Sequence, residues 1–131
     1  MPRILDTTLL IDYANGRLGA GAMLERLFAE ADDLIVCDAV VAEALSSGTS
    51  EERRSIANLI DAVEYVATHP DAAKWAGEAR RLRGATSPRT LGDALIAGVA
   101  WSLGATIVTR NPDDFVRMGV PVLAYEADAP A

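Results

Sequence analysis

Short apolar runs alternate with longer segments of helical periodicity along the whole chain, and this alternation constrains the fold more than any other feature. The runs are Ile4-Leu5-Asp6 (with residues 1–3 leading in), Leu34-Ile35-Val36-Cys37, Glu64-Tyr65-Val66-Ala67, Ala105-Thr106-Ile107-Val108-Thr109 and Val120-Pro121-Val122-Leu123-Ala124. Each has the length of a buried strand. Helical spacing is expected over residues 7–14, 20–31, 38–47, 51–63, 70–82, 90–103 and 112–118. In the second of these, Met23, Leu24, Leu27, Phe28 and Ala31 share a face opposite Glu25, Arg26 and Glu30. Asp32-Asp33 turns the chain into the second strand, and residues 86–89 form a polar loop. Asp38 can cap the third helix; Asn15-Gly16, Gly48 and Gly104 supply stops, and Pro70 and Pro112 supply starts. The stretch from Ala94 to Leu103 is apolar nearly all round, which predicts a buried helix. Strands alternating with helices imply an α/β fold with a parallel sheet covered on both faces. Ligands of such sheets bind beyond the carboxyl ends of the strands, near the switch in strand order. The chain has 131 residues, enough for one domain. Residues 1–125 are expected to form it, with residues 126–131 as a short, loose C-terminal tail.

Several chemistries are excluded by counting. One cysteine, Cys37, permits neither an internal disulfide nor a cysteine-based zinc site. One histidine, His69, rules out a histidine-rich metal centre, and its place before Pro70 suits a turn. Gly19-x-Gly21 follows no strand and has Leu24 in place of the third glycine, so no nucleotide cofactor is expected. No run approaches the roughly 20 apolar residues needed to span a bilayer, and the start lacks a long apolar stretch. The expectation is a cytoplasmic protein with no membrane partner.

Carboxylates are the chemistry that remains. Asp6 ends the first strand, Glu43 lies one turn into the helix after the second, Asp93 opens the buried helix, and Asp114 follows the fourth strand. Each has an ordinary structural alternative. Asp6 could cap the next helix, Thr90-x-x-Asp93 resembles a capping box, and Asn111-Pro112-Asp113-Asp114 is a common helix start; Glu43 could be a solvated helix charge. Together they point further, because carboxylates held side by side repel unless a cation neutralises them. Hard oxygen ligands suit Mg²⁺ or Mn²⁺, and such ions can assist phosphodiester hydrolysis without histidine.

The residues that carry these acids resemble the PIN-domain family. They are Ile4-Leu5-Asp6-Thr7-Thr8-Leu9-Leu10-Ile11-Asp12, Val41-Ala42-Glu43, Asp93-Ala94-Leu95-Ile96-Ala97 and Thr109-Arg110-Asn111-Pro112-Asp113-Asp114-Phe115. Length and spacing are similar to the VapC-type ribonuclease toxins of toxin–antitoxin pairs, over essentially the whole chain. The most specific piece is Thr109-x-Asn111-x-x-Asp114-Phe115 after a strand, preceded by an Asp-headed helix that ends in glycine. One departure is that Ala44 stands between Glu43 and Leu45, where many relatives place Leu directly after the Glu. The resemblance implies a three-layer α/β/α sandwich with a central parallel sheet of four to five strands, and RNA cleavage with Mg²⁺, or alternatively Mn²⁺. It makes Asp6 and Asp93 the direct metal ligands. Glu43 would complete the first site, partly through water, and could serve as base; Asp114 would hold a second metal or its waters, with Thr109 and Asn111 in support. It also implies a homodimer, and a small VapB-like antitoxin that can push an Arg towards the acids. A solitary RNA-processing nuclease and a non-catalytic binding module of the same family are the alternatives.

The net charge is -7, which argues against indiscriminate coating of nucleic acid, but it is unevenly spread. Lys74, Arg80, Arg81, Arg83 and Arg89 face only one acid, Glu78, within residues 74–89, whereas residues 25–52 carry eight acids and one Arg. Arg80, Arg81, Arg83 and Arg89 are candidates for RNA phosphates; the alternative is a solvated helix face and loop. Arg110 could reach a phosphate or pair with Asp113 or Asp114. Asp12 is expected to be an exposed helix charge, the alternative being support of the first helix turn or the site, and Trp75 and Trp101 fall on apolar stripes that place them in the core rather than as base-stacking platforms. A phosphoacceptor signalling module shares the layout, but Thr7-Thr8 follows Asp6 where paired acids are needed, and the only lysine is Lys74.

Overall fold

The computed structural model describes residues 1–30, 33–85 and 87–128. Five strands alternate with seven helices: β1 (Pro2–Leu5), α1 (Thr7–Ala14), α2 (Leu18–Glu30), β2 (Asp33–Cys37), α3 (Asp38–Ala44), α4 (Ser50–Asp61), β3 (Glu64–Val66), α5 (Pro70–Leu82), α6 (Leu91–Leu103), β4 (Thr106–Thr109), α7 (Pro112–Arg117) and β5 (Val122–Ala124). A 3₁₀ turn, Pro88–Thr90, precedes α6. The strands form one parallel sheet in the order β3-β2-β1-β4-β5, flanked by helices as an α/β fold requires. The order runs outwards in both directions from β1, so the switch lies between β1 and β4. Ile4 aligns with Ile107 there, and Ile4, Leu5, Ile107 and Val108 are fully buried.

Helix ends follow local chemistry. α4 begins with a full capping box: Glu52 N–H donates to Thr49 Oγ1 at 3.1 Å, and Thr49 N–H donates to Glu52 Oε1 at 3.0 Å. α5 has Pro70 in its first turn and His69 Nδ1 accepting from Asp71 N–H at 3.2 Å, so His69 is the N-cap of that helix. Gly104 closes α6 in the left-handed region at φ 63°, which glycine adopts without a side-chain clash. α5 and α6 pack so closely that a Cβ on Gly98 would overlap the Ala72 carbonyl.

Several expectations are corrected. α3 stops at Ala44, not near residue 47, because the chain must turn through Gly48 to reach the Thr49 cap. Cys37 occupies the N-cap position, while Asp38 lies in the first turn and accepts from Thr68 Oγ1 and from the Thr68 and Ala39 amides. β5 starts at Val122, since Pro121 has no N–H to donate, although its carbonyl still accepts from Ile107 N–H at 3.0 Å. The C-terminal segment is not loose as far as Asp128. Ala127 is buried, its carbonyl accepts from Gly19 N–H at 2.8 Å, and Arg17 pairs with Asp128 at 2.7 Å. Gly19 is needed for that approach, because a Cβ would overlap the Glu126 carbonyl. Trp75 and Trp101 stack at 5.8 Å between ring centroids, but Trp101 is 51% exposed and so is not core. Residues 31, 32 and 86, in the expected second helix, the Asp32-Asp33 turn and the 86–89 loop, lie outside the described residues, as do residues 129–131 of the tail. Among the described residues no helix is long and apolar enough to cross a membrane.

Candidate functional site

The switch between β1 and β4 places Asp6 and Thr109 side by side at the carboxyl edge of the sheet. Asp6 N–H donates to the Val108 carbonyl at 3.0 Å, extending the ladder one residue past β1. The Asp6 side chain does not cap α1. Its Oδ2 instead accepts from Thr109 Oγ1 at 2.7 Å and from Thr8 Oγ1 at 2.9 Å. Thr109 is fully buried and also accepts from the Asn111 amide at 3.0 Å. Two hydroxyls therefore lock one oxygen of a carboxylate that is only 3% exposed. Burial raises the Asp6 pKa, and these hydroxyls together with the Thr7 and Thr8 amides oppose the rise.

Asp93 sits in the first turn of α6, and the capping box that is the alternative to a site role does not form, since the Thr90 side chain makes no capping bond. Its carboxyl is pushed from an ordinary 3.8 up to about 6, first by burial and then by the charges of Asp6, Asp114 and Glu43, with Arg83 opposing. The four acids of the sequence thus share one electrostatic neighbourhood. Glu43 reaches it from α3: Thr7 Oγ1 donates to Glu43 Oε1 at 2.8 Å, and the carboxylate lies so near Gly92 that any Cβ there would overlap it. Asp114 reaches it from α7, which fully buried Phe115 anchors. Asn111 is the N-cap residue of α7, but its side chain makes no capping bond. Among the described residues, no three acidic, His or Cys side chains stand close enough to form a ready metal cage.

The acids repel, so removing one charge should strengthen the fold. Asp93 has a folded pKa above its unfolded one. Its stabilising contribution is complete below about pH 3.8 and is lost as pH rises through about 6. At pH 7.5 the metal-free protein carries that penalty. The nominal shift is screened because Asp93 is only partly buried, which leaves on the order of 1 kcal/mol. Asp93→Asn is therefore expected to melt about 3–5 °C higher than the parent in EDTA at pH 7.5, with the gain gone near pH 4. Circular dichroism melts at the two pH values check this.

The basic candidates separate in space. Arg80 is spent on its own loop, donating to Ser87 O at 3.0 Å and Thr90 Oγ1 at 3.4 Å. Arg81 pairs with Glu78 on the same helix, and Arg89 lies in the 3₁₀ turn. Arg83 comes within 4.0 Å of Asp114. Arg110 pairs with neither Asp113 nor Asp114; its Nη1 donates to Asp12 Oδ1 at 3.0 Å. Asp12 is correspondingly 2% exposed, not a solvated helix charge, and its Oδ2 accepts from Tyr125 Oη at 2.7 Å. Burial and this bond to Asp12 raise the Tyr125 pKa.

Sequence reasoning missed Thr7, Thr8, Gly92 and the Asp12–Arg110–Tyr125 group. Thr7-Thr8 directly after a strand-terminal acid was the available signal for the first two. The others depend on residues distant in sequence.

The PIN domain family model matches residues 3–121. No curated protein matches in sequence. Among solved structures, VapBC-1 from nontypeable Haemophilus influenzae is similar at 26% identity and a TM-score of 0.74, over 95% of this chain and 98% of that one. VapBC2 from Rickettsia felis, bound to a DNA fragment from its promoter, is similar at 20% identity and 0.78, over 96% and 100%. Mycobacterium tuberculosis VapC20, a sarcin–ricin-loop-cleaving toxin, is similar at 17% identity and 0.67, over 98% and 99%.

Proposed function

The chain belongs to the PIN-domain family, a family of nucleases, and from that premise we propose that it is a metal-dependent endoribonuclease acting as the toxin of a VapBC-type pair. The observation that carries this reading is the convergence of Asp6, Glu43 and Asp114 on the raised carboxyl of Asp93. The likeness to VapBC complexes supports a small antitoxin as partner. In this reading the toxin is a cytoplasmic homodimer that the antitoxin holds inactive.

The donors fit Mg²⁺. All are carboxylate oxygens, their mutual repulsion asks for a cation, and Mg²⁺ dehydrates reluctantly, so it needs one or two direct carboxylates and keeps its waters. Mn²⁺ suits the same ligands. Asp6 and Asp93 would hold the ion, Glu43 would complete its shell partly through water, and Asp114 would hold a second ion or its waters. When bound, the ion supplies positive charge to the reacting phosphodiester. The protein's own groups do the rest. Thr8 and Thr109 fix the Asp6 carboxylate before substrate arrives, with Asn111 contributing its amide to Thr109. Glu43, whose Oε1 accepts from Thr7 Oγ1, would serve as base for the attacking water. Arg83 offers its guanidinium to substrate phosphate, with Arg80 and Arg89 lending longer-range positive potential, while Arg81 and Arg110 are neutralised by Glu78 and Asp12.

The test is cleavage of a fluorogenic RNA by the purified chain. Cleavage should require Mg²⁺ or Mn²⁺ and stop with EDTA. Sequencing RNA 5′ ends after brief induction would then give the site. An intact RNA pool in the presence of either metal would overturn the reading.

A further inference from the structure

Next to the acids lies a recess of which the proposed chemistry uses only Arg83. It is a cavity of about 280 Å³ between α5 and α7, close to the lower size of small-ligand sites. Trp75, Leu82 and Met118 supply its apolar lining, and Arg83, Arg117 and Glu78 its charged lining. Arg83 and Arg117 converge on one acid of the cluster: their guanidinium nitrogens lie 4.0 and 3.8 Å from Asp114 Oδ1. Both contacts are ion pairs longer than a hydrogen bond. Each retains its fork of five N–H donors. The one acid on the wall, Glu78, is already neutralised by Arg81. Leu82 is 71% exposed and Val116, on the same α7 as Arg117, is 56% exposed.

Exposed apolar surface beside two guanidiniums that share a single carboxylate, Asp114, and so keep a net positive charge, has the two-part chemistry of a nucleotide. A base needs an apolar or aromatic platform, and its phosphate needs planar donors. We infer that this recess seats one unpaired nucleotide of the RNA strand next to the scissile phosphate, with the base on Trp75, Leu82 and Met118 and the phosphate between Arg83 and Arg117. Charge complementarity selects the strand over a second copy of this chain. A recess edged by Arg83 and Arg117, whose one lining acid is neutralised by Arg81, suits the anionic strand. The inference rests on the ribonuclease reading, and it adds where the strand lies and which side chains set affinity at one position.

Two exposed positions allow a test without unfolding: Arg117→Gln and Leu82→Glu, with Arg26→Gln, whose residue pairs with Glu30 on α2, as control. Binding of a fluorescein-labelled single-stranded RNA dodecamer is measured by anisotropy in EDTA, over a salt series. Cleavage by the same proteins is followed in Mg²⁺, and their oligomeric state by light scattering. Both pocket variants should weaken binding about 10-fold and raise KM with kcat within twofold, and the control should match the parent. Arg117→Gln should also lower the slope of log K against log salt by about 1, the loss of one phosphate contact. Parental affinity and salt slope in both variants, while the parent cleaves RNA, would overturn the pocket and leave the ribonuclease reading standing. So would a change from dimer to monomer at unchanged RNA affinity, which would assign the face to a second copy. A parent that neither binds nor cleaves RNA would remove both.

Discussion

Asp6→Asn is expected to abolish RNA cleavage, lowering the rate by ~10³-fold or more, while leaving a folded protein. That factor corresponds to several kcal/mol of transition-state stabilisation, the scale of a metal's contribution. The substitution is nearly isosteric. Thr8 and Thr109 can still donate to an amide oxygen at the positions where they now meet Oδ2 at 2.9 and 2.7 Å. What disappears is an anionic oxygen at the switch point of the sheet, and an amide is a poor ligand for Mg²⁺. Loss of a buried carboxylate whose pKa is raised should not weaken the fold. The measurement is initial-rate cleavage of the fluorogenic RNA at saturating Mg²⁺, alongside a thermal melt. A variant with parental melting and parental rate would remove Asp6 from the chemistry.

Asp12→Ala should have the largest effect on stability. Asp12 is 2% exposed and holds Arg110 at 3.0 Å and Tyr125 at 2.7 Å, so it ties α1 to the loop after β4 and to the segment after β5. Truncation leaves a phenol without its acceptor and a guanidinium without its charge partner. Breaking such a pair costs 3–5 kcal/mol when both groups are fully buried; Arg110 is 37% exposed and can rehydrate, which lowers the expectation to about 2–4 kcal/mol. For a domain of this size that is a fall of roughly 6–15 °C in melting midpoint. Urea titration of Asp12→Ala and Asp12→Asn separates the causes, since asparagine keeps an acceptor for Tyr125 and should recover part of the loss. Unfolding free energies within about 0.5 kcal/mol of the parent for both would show that the group is not structural.

The contrast between these two aspartates shows what a linear reading can reach. Asp6 stands at the end of a buried run, before Thr7-Thr8, and a strand-to-helix junction is visible within a few residues. Asp12 lies three residues after Leu9 on a short helix, and nothing near it reveals burial. Its partners are 98 and 113 residues further along the chain. Arg110 was legible as a cation near the site, but the choice between Asp12, Asp113 and Asp114 was a matter of packing. Trp101 misled for the related reason that an apolar stripe predicts burial only if another element covers it.

The sequence by itself determined the succession of strands and helices, most of their ends, and which acids stand at junctions, because periodicity, caps and glycine stops act within a turn or two of backbone. The tertiary structure decided the strand order β3-β2-β1-β4-β5 and with it the switch between β1 and β4. That order sets Asp6 beside Thr109 and brings Asp6, Glu43 and Asp114 near Asp93, so their charges add to burial in raising the pKa of Asp93. Adjacency of residues some 100 positions apart depends on how elements pack, and no local pattern encodes it.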